Sequence, residues 1–323
     1  MYRAQLSWKP ITILLFLSLI WGANMAMVKM TFHELEPLFM AGLRSLVASG
    51  CLYIWMKAKG IRVFPSGRII FHGMVAGFLF GFEFGLIFMG LQYTLASRMY
   101  VLLYTAPFCV ALGAHFFLKG DRFNPWKAGG LVLAFVGLVS LFSKDLGSFS
   151  FSALPGDLLA MFAGVVWAAT TLYIKKFLAY QTVPLQTLFY QVFFSAPPLF
   201  LMSFLLENPT FSNLSWFGAV SLFYQCIIVV FLSYLAWFEL IHRYPVSLLH
   251  AFSFFTPVFG VFISGALLLG EIIGTNLIFA LILISVGMVL VNRQPKKKRI
   301  REGKKRNNTQ VEPEVRTQQT LCM

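Results

Sequence analysis

Apolar stretches of about twenty residues follow one another from residue 10 to residue 292, with short polar connections between them. The hydrocarbon core of a bilayer takes about twenty helical residues to cross. The pattern predicts ten such helices, at 10–29, 37–56, 69–92, 97–118, 126–143, 156–176, 184–206, 214–238, 246–269 and 275–292. The longest connections, Lys57–Arg68 and Ser143–Pro155, hold about a dozen residues, too few for a further folded domain. The expected fold class is an all-α integral membrane protein of ten transmembrane helices. Any chemistry must then take place between helices.

Composition agrees. Hydrophobic residues are 58% of the chain and charged residues 12%, half the charged share of an ordinary soluble domain. Disordered and disulfide-scaffold classes are excluded on the same ground. The net charge of +14 is not a nucleic-acid footprint, because it sits at segment ends and in one tail. From Arg293 onward ten Lys/Arg stand against Glu302, Glu312 and Glu314. This run reads as a cytoplasmic topology anchor, with anionic lipid headgroups as a further partner. Cys51, Cys109, Cys226 and Cys322 show no paired spacing, so neither zinc nor a disulfide framework is expected. Arg3 and Lys9 before an apolar run mimic a signal peptide, but the run has full span length and is read as a retained first helix.

Lys/Arg placement sets the expected orientation. With a cytoplasmic N-terminus, the inner side holds Arg3, Lys9, Lys57, Lys59, Arg62, Arg68, Lys119, Arg122, Lys127, Lys175, Lys176, Arg243 and the tail. The outer side holds Lys29, Arg98 and Lys144. Ten spans return the C-terminus to the cytoplasm.

The chain also repeats itself. Ser97, Pro107, Gly120, Asp121, Val136, Gly137 and Val139 match Ser247, Pro257, Gly270, Glu271, Val286, Gly287 and Val289, every pair 150 residues apart. A weaker match joins Trp21-Gly-Ala-Asn and Lys29 to Trp167-Ala-Ala-Thr and Lys175. Halves of five helices must face opposite ways, because five is odd. Two inverted five-helix repeats are therefore expected, an arrangement found in many secondary transporters. The boundaries are a cytoplasmic N-terminus 1–9, a first repeat 10–143, an external linker 144–155, a second repeat 156–292 and a basic, disordered cytoplasmic tail 293–323.

The segment Ser97-Arg-Met-Tyr-Val-Leu-Leu-Tyr-Thr-Ala-Pro-Phe through Gly120-Asp121 and the helix to Phe142 resembles an EamA domain. So does Pro245-Val-Ser through Thr256-Pro257, Gly270-Glu271 and Gly287, and Trp21-Gly with Pro37 and Arg44 resembles the domain's opening helices. The resemblance, over residues 10–292, implies the ten-helix drug/metabolite transporter superfamily. It further implies a bacterial inner-membrane protein exporting amino acids, other metabolites or drugs. The second half departs from the first where Gln191 takes the place of a mate for Arg44, and where Thr171-Leu-Tyr replaces a more apolar stretch.

Glu83 is the most informative polar residue. Gly73, Gly77, Gly81 and Gly85 recur every four residues and give one face for close helix contact. Glu83 points roughly opposite that face, and an ionised carboxylate facing lipid costs at least a few kcal/mol. A polar interior is its expected destination. There it reads as a proton-titrating or substrate-contacting carboxylate, as the partner of Arg44, or as both, since the two lie at similar depth. Lys29, Arg98 and Lys175 read as snorkelling to headgroups. His33, His72 and His242 read as ordinary surface residues. His115 and His250 lie inside helices without metal-ligand partners, and His250, at the repeat position of Tyr100, is a candidate for the cavity wall or for helix packing. Trp21 with Asn24, Trp167 with Thr170, and Tyr100 with Tyr104 share helix faces and are candidates to line a pocket for a partly apolar metabolite. Pro107 and Pro257 read as symmetric mid-helix bends and candidate hinges, and Pro197-Pro198 as a further disruption.

These features point to a secondary transporter for a small organic, amino-acid-like or amphipathic solute, working by alternating access, with proton coupling possible. No Walker sequence, HExxH or GxSxG turn is present. Neither a cofactor nor a metal is expected. An intramembrane enzyme and a passive channel are the competing readings, and a single buried carboxylate is thin equipment for hydrolysis.

Overall fold

The computed structural model describes residues 5–32, 34–94, 96–143, 151–207, 214–263 and 275–293. Gly270, Glu271, His33, Lys144 and the tail beyond Arg293 lie outside the described residues, as do the side chains of Lys29 and Ser97. Helices α1 (Trp8–Thr31), α2 (Pro37–Ala58) and α3 (Gly67–Leu91) are followed by α4 (Ala96–Leu103), α5 (Ala106–Phe117) and α6 (Pro125–Leu141). After a 3₁₀ turn at Phe151–Ala153 come α7 (Leu154–Phe177), α8 (Pro184–Leu206) and α9 (Trp216–Phe223). Residues Tyr224–Ser233 are wound as a π-helix that continues into α10 (Tyr234–Arg243). Then follow α11 (Val246–Phe252), α12 (Phe255–Val261) and α13 (Thr275–Asn292). Among the described residues, seven helical runs are long and apolar enough to cross a bilayer, and three shorter apolar helices, Trp8–Asn24, Pro125–Leu141 and Val246–Val261, accompany them.

Local chemistry explains where the helices begin. Ser66, Asn124 and Ser215 accept from the backbone N–H three residues on, satisfying groups that a helix start leaves open. Pro37, Pro125 and Pro184 stand in first turns, where proline's missing N–H costs nothing. Gly120, at φ 90°, makes the left-handed turn after α5 that other residues adopt at a cost.

The glycine face of α3 meets α8. A Cβ on Gly73 would sit 2.7 Å from Tyr190 Cβ, one on Gly77 2.5 Å from Phe194 Cβ, and one on Gly81 3.1 Å from the Ser195 carbonyl oxygen. Gly85 faces Met202. Helix α8 runs unbroken through Pro197 and Pro198, contrary to the expected disruption. Gly81 leaves room there, since its Cβ would lie 3.2 Å from Pro198 Cγ. A second glycine contact joins α6 to α13: a Cβ on Gly130 would lie 2.5 Å from the Gly287 carbonyl oxygen, and one on Gly287 2.6 Å from that of Gly130. Helix α1 lies against α12 and the π-wound segment, and α7 against α3, α4 and α5.

Pro107 and Pro257 are not mid-helix. The expected single spans are each two helices, interrupted at Tyr104–Thr105 and at Ser253–Phe254. Each proline falls in the first turn of the second piece, α5 or α12, where it removes no intrahelical bond.

The two ends of the bundle differ in chemistry. At the end rich in Lys and Arg, Gln186 Nε2 donates to Arg62 O (2.8 Å) and Tyr190 Oη to Val63 O (2.6 Å). At the opposite end, Glu207 accepts from Leu38 N (2.7 Å) and Phe39 N (3.1 Å).

Candidate functional site

A cavity of about 220 Å³ lies at the centre, walled by α1, α2, α3, α4, α7, α8, α10, α12 and the π-wound segment. Helix α3 supplies Phe80, Glu83, Phe84, Ile87, Phe88 and Leu91. Glu83 lies opposite the glycines, so close packing on one side directs the carboxylate to the other. Trp21, Asn24, Arg44, Tyr100, Tyr104, Trp167 and Thr170 also line the cavity, so eight of the nine candidate site residues meet there.

His250 is the exception. It is fully buried one layer behind the wall, between Trp167 (ring centroids 5.0 Å) and Trp237 (5.4 Å), with Nε2 3.0 Å from Thr171 Oγ1. His72 and His242, both half-buried, also bond between helices. His72 Nδ1 lies 2.6 Å from Tyr173 Oη, and His242 Nε2 lies 3.0 Å from Thr187 Oγ1.

Five polar atoms on the cavity wall find no hydrogen-bond partner in the protein: Asn24 Oδ1, Arg44 Nε, Glu83 Oε2, Gln191 Oε1 and Thr256 Oγ1. Leaving a buried polar group unsatisfied costs about 1–3 kcal/mol, so five around one space mark a place for water or a polar solute. Arg44 and Glu83 do not form an ion pair. Arg44 instead places Nη1 3.5 Å from Gln225 Oε1 and its guanidinium 5.2 Å from the Phe84 ring centroid. Tyr234 lines the same cavity. Thr170 lines the cavity, but its hydroxyl donates to Val166 O at 2.8 Å, so it offers its methyl and a spare lone pair.

Aromatic rings make most of the remaining wall. Trp21 Nε1 donates to Ser233 Oγ (2.8 Å), and its ring meets Trp237 (5.3 Å) and Tyr234 (6.0 Å) edge to face. Tyr104 meets Trp167 at 5.9 Å in the same manner. Tyr234, Trp237 and Phe238 escaped the sequence reading because they lie on or beside the π-wound stretch, where helical registers slip.

Arg98 and Lys175 are not snorkelling. Arg98 is ion-paired with Asp157, whose Oδ1 also accepts from Thr94 Oγ1 (2.7 Å). Lys175 is 1% exposed and donates to Ile241 O and to Tyr244 O, the latter at 3.1 Å. No metal-ligand cluster occurs among the described residues.

A helical membrane protein built around a small, aromatic, partly polar cavity is suited to the transport of small solutes. The chain belongs to the EamA-like transporter family, whose model matches it twice, over residues 8–143 and 154–293. It is 25% identical over 275 residues to the uncharacterized transporter YoaV of Bacillus subtilis, covering 84% of this chain and 93% of that protein. It is 27% identical over 285 residues to a protein of Escherichia coli named a probable amino-acid metabolite efflux pump, covering 85% and 92%. An uncharacterized transporter of Archaeoglobus fulgidus is 30% identical over 252 residues, covering 75% and 83%. A solved crystal structure shares the fold at a TM-score of 0.74 and 21% identity, over 88% of this chain and 96% of that one.

Proposed function

We propose that the protein is a secondary carrier that moves a small amphipathic, amino-acid-like solute out of the cell by alternating access. The observation that carries this is the set of unpartnered atoms Asn24 Oδ1, Arg44 Nε, Glu83 Oε2 and Gln191 Oε1 inside one aromatic cavity. Arg44 offers a carboxylate its donors. Glu83, Asn24 and Gln191 offer an ammonium group their acceptors. The rings of Trp21, Tyr100, Tyr104, Trp167 and Trp237 take an apolar side chain. The name of the Escherichia coli relative is in keeping with such a solute.

Ten spans in two inverted repeats suit this reading. Two matches of one family model divide the chain near residue 150. The pairing of helices is also balanced: α1 lies on α12 as α7 lies on α4 and α5, while α2 meets α8 and α6 meets α13, each pair standing at equivalent places in the two halves. Pro107 and Pro257, beside paired interruptions, are the proposed hinges. The Lys/Arg-rich end and both termini face the cytoplasm of a bacterial inner membrane, where the basic tail meets anionic headgroups. Glu83 carries a coupling proton.

Counterflow in proteoliposomes tests the reading. Saturable exchange of amino acids is expected, abolished by Arg44→Ala. Flux without saturation favours a channel, chemical turnover of solute or lipid favours an enzyme, and either outcome overturns it.

A further inference from the structure

Two groups of helices flank the cavity, α1 with α9, the π-wound segment, α10, α11 and α12 on one side, and α3, α4, α5 and α7 on the other. At the Lys/Arg-rich end they are tied by buried polar contacts. Asp121, in the turn after α5, accepts at Oδ2 from the Ser247 backbone N–H (2.9 Å) and at Oδ1 from the Ser247 hydroxyl. Lys127 Nζ completes the triangle, 2.7 Å from Asp121 Oδ1 and 2.8 Å from Ser247 Oγ. All three residues are buried. Nearby, Lys175 of α7 donates to the Ile241 and Tyr244 carbonyls of the other group, directly below Ile174 and Ile241 of the cavity wall.

At the opposite end Arg98 and Thr94 bond to Asp157 within one group, Glu34 bonds to Ser215 within the other, and the rings of Phe32 and Phe88 meet 5.9 Å apart. The 150-residue offset carries Ser247 back to Ser97 and Asp121 on to Glu271, but it carries Lys127 to Leu277.

We infer that Asp121, Lys127, Ser247 and Lys175 form a polar latch that shuts the cavity at the Lys/Arg-rich end, and that its release exposes the cavity on that side. The inference rests on the carrier reading and adds to it the parts that set the resting state. Polar ties bias a two-state equilibrium in proportion to the interactions made in one state alone. The buried ties of Asp121, Lys127, Ser247 and Lys175 therefore bias the carrier toward closure at the latched end.

The test is labelling by a membrane-impermeant maleimide in full-length protein whose Cys51, Cys109, Cys226 and Cys322 are replaced by Ser. Single cysteines are placed by Ile174→Cys at the latched end and by Leu91→Cys at the other. Asp121→Asn is expected to speed labelling at position 174 from the Lys/Arg-rich side about tenfold, the factor that about 1.4 kcal/mol of lost bias gives. Labelling at position 91 stays level or falls. Lys127→Leu, which installs the counterpart's side chain, is expected to act in the same direction. An unchanged rate at position 174 in both variants overturns the latch. So does an equal rise at both positions, the mark of a loosened fold. The readout needs no substrate, so failure here is separable from failure of the flux measurements.

Discussion

Arg44 and Glu83 look into one cavity from α2 and α3 without forming an ion pair. Arg44 leans on Gln225 and the Phe84 ring, and Glu83 keeps Oε2 unpartnered. An acid and a base left unjoined around one space are held for something that enters it. Glu83→Gln is therefore expected to keep the fold, with Tm unchanged or raised because a costly charge is removed, while counterflow falls at least tenfold and loses its pH dependence. Transport that retains both rate and pH profile would count against a coupling role.

The Arg98–Asp157 pair is structural by the same logic. It is buried, satisfied and supported by Thr94. Removing one partner from a buried pair leaves the other uncompensated, at about 3–5 kcal/mol. Asp157→Ala is expected to lower the Tm of the purified protein strongly. A joint change of Arg98→Met and Asp157→Leu should recover most of the loss, and thermal melting in one detergent compares the three.

Helix contact predicts a sharp contrast between glycines. A Cβ on Gly77 would lie 2.5 Å from Phe194 Cβ and 2.9 Å from the Phe194 carbonyl carbon, whereas one on Gly129 meets nothing within 4 Å. Gly77→Ala is expected to destabilise by about 1–3 kcal/mol through overpacking. Gly129→Ala should be neutral or slightly stabilising through helix propensity. Melting curves of the two variants decide it.

Acid sensitivity should appear outside the spans. Glu34, in the turn after α1, accepts from Ser215 Oγ (2.7 Å) and Ser215 N (2.8 Å), which hold its pKa below the usual carboxylate range. A lowered folded-state pKa stabilises the fold above the ordinary value, and that contribution is lost as pH falls through the lowered one. Wild-type Tm should therefore decline on acidification more steeply than that of Glu34→Gln, and the two curves should converge at the acid end.

Much of the molecule could be read from residue order. The α3 glycines at four-residue spacing gave a close helix contact, which α8 makes, and so the direction of Glu83. Phe80 and Ile87, three residues before and four after Glu83, share its face, and that register was a signal available and unused. What order could not reveal was long-range pairing. Asp157 lies 59 residues from Arg98, and Ser247 lies 126 from Asp121, so nothing local marks them as partners. The π winding of Tyr224–Ser233 likewise has no residue signature, yet it decides which side chains of that span, Val229 among them, reach the cavity. Prolines misled for the opposite reason: Pro107 and Pro257 follow interruptions, whereas Pro197 and Pro198 sit inside an unbroken α8.

Gly130 and Gly287 touch backbone to backbone, and each is shaped by the other's smallness. Neither can acquire even a methyl unless the facing strip of main chain retreats. Far-separated stretches of one gene are thereby bound to change together or not at all, and a tolerant substitution at one position would first require permission from its twin.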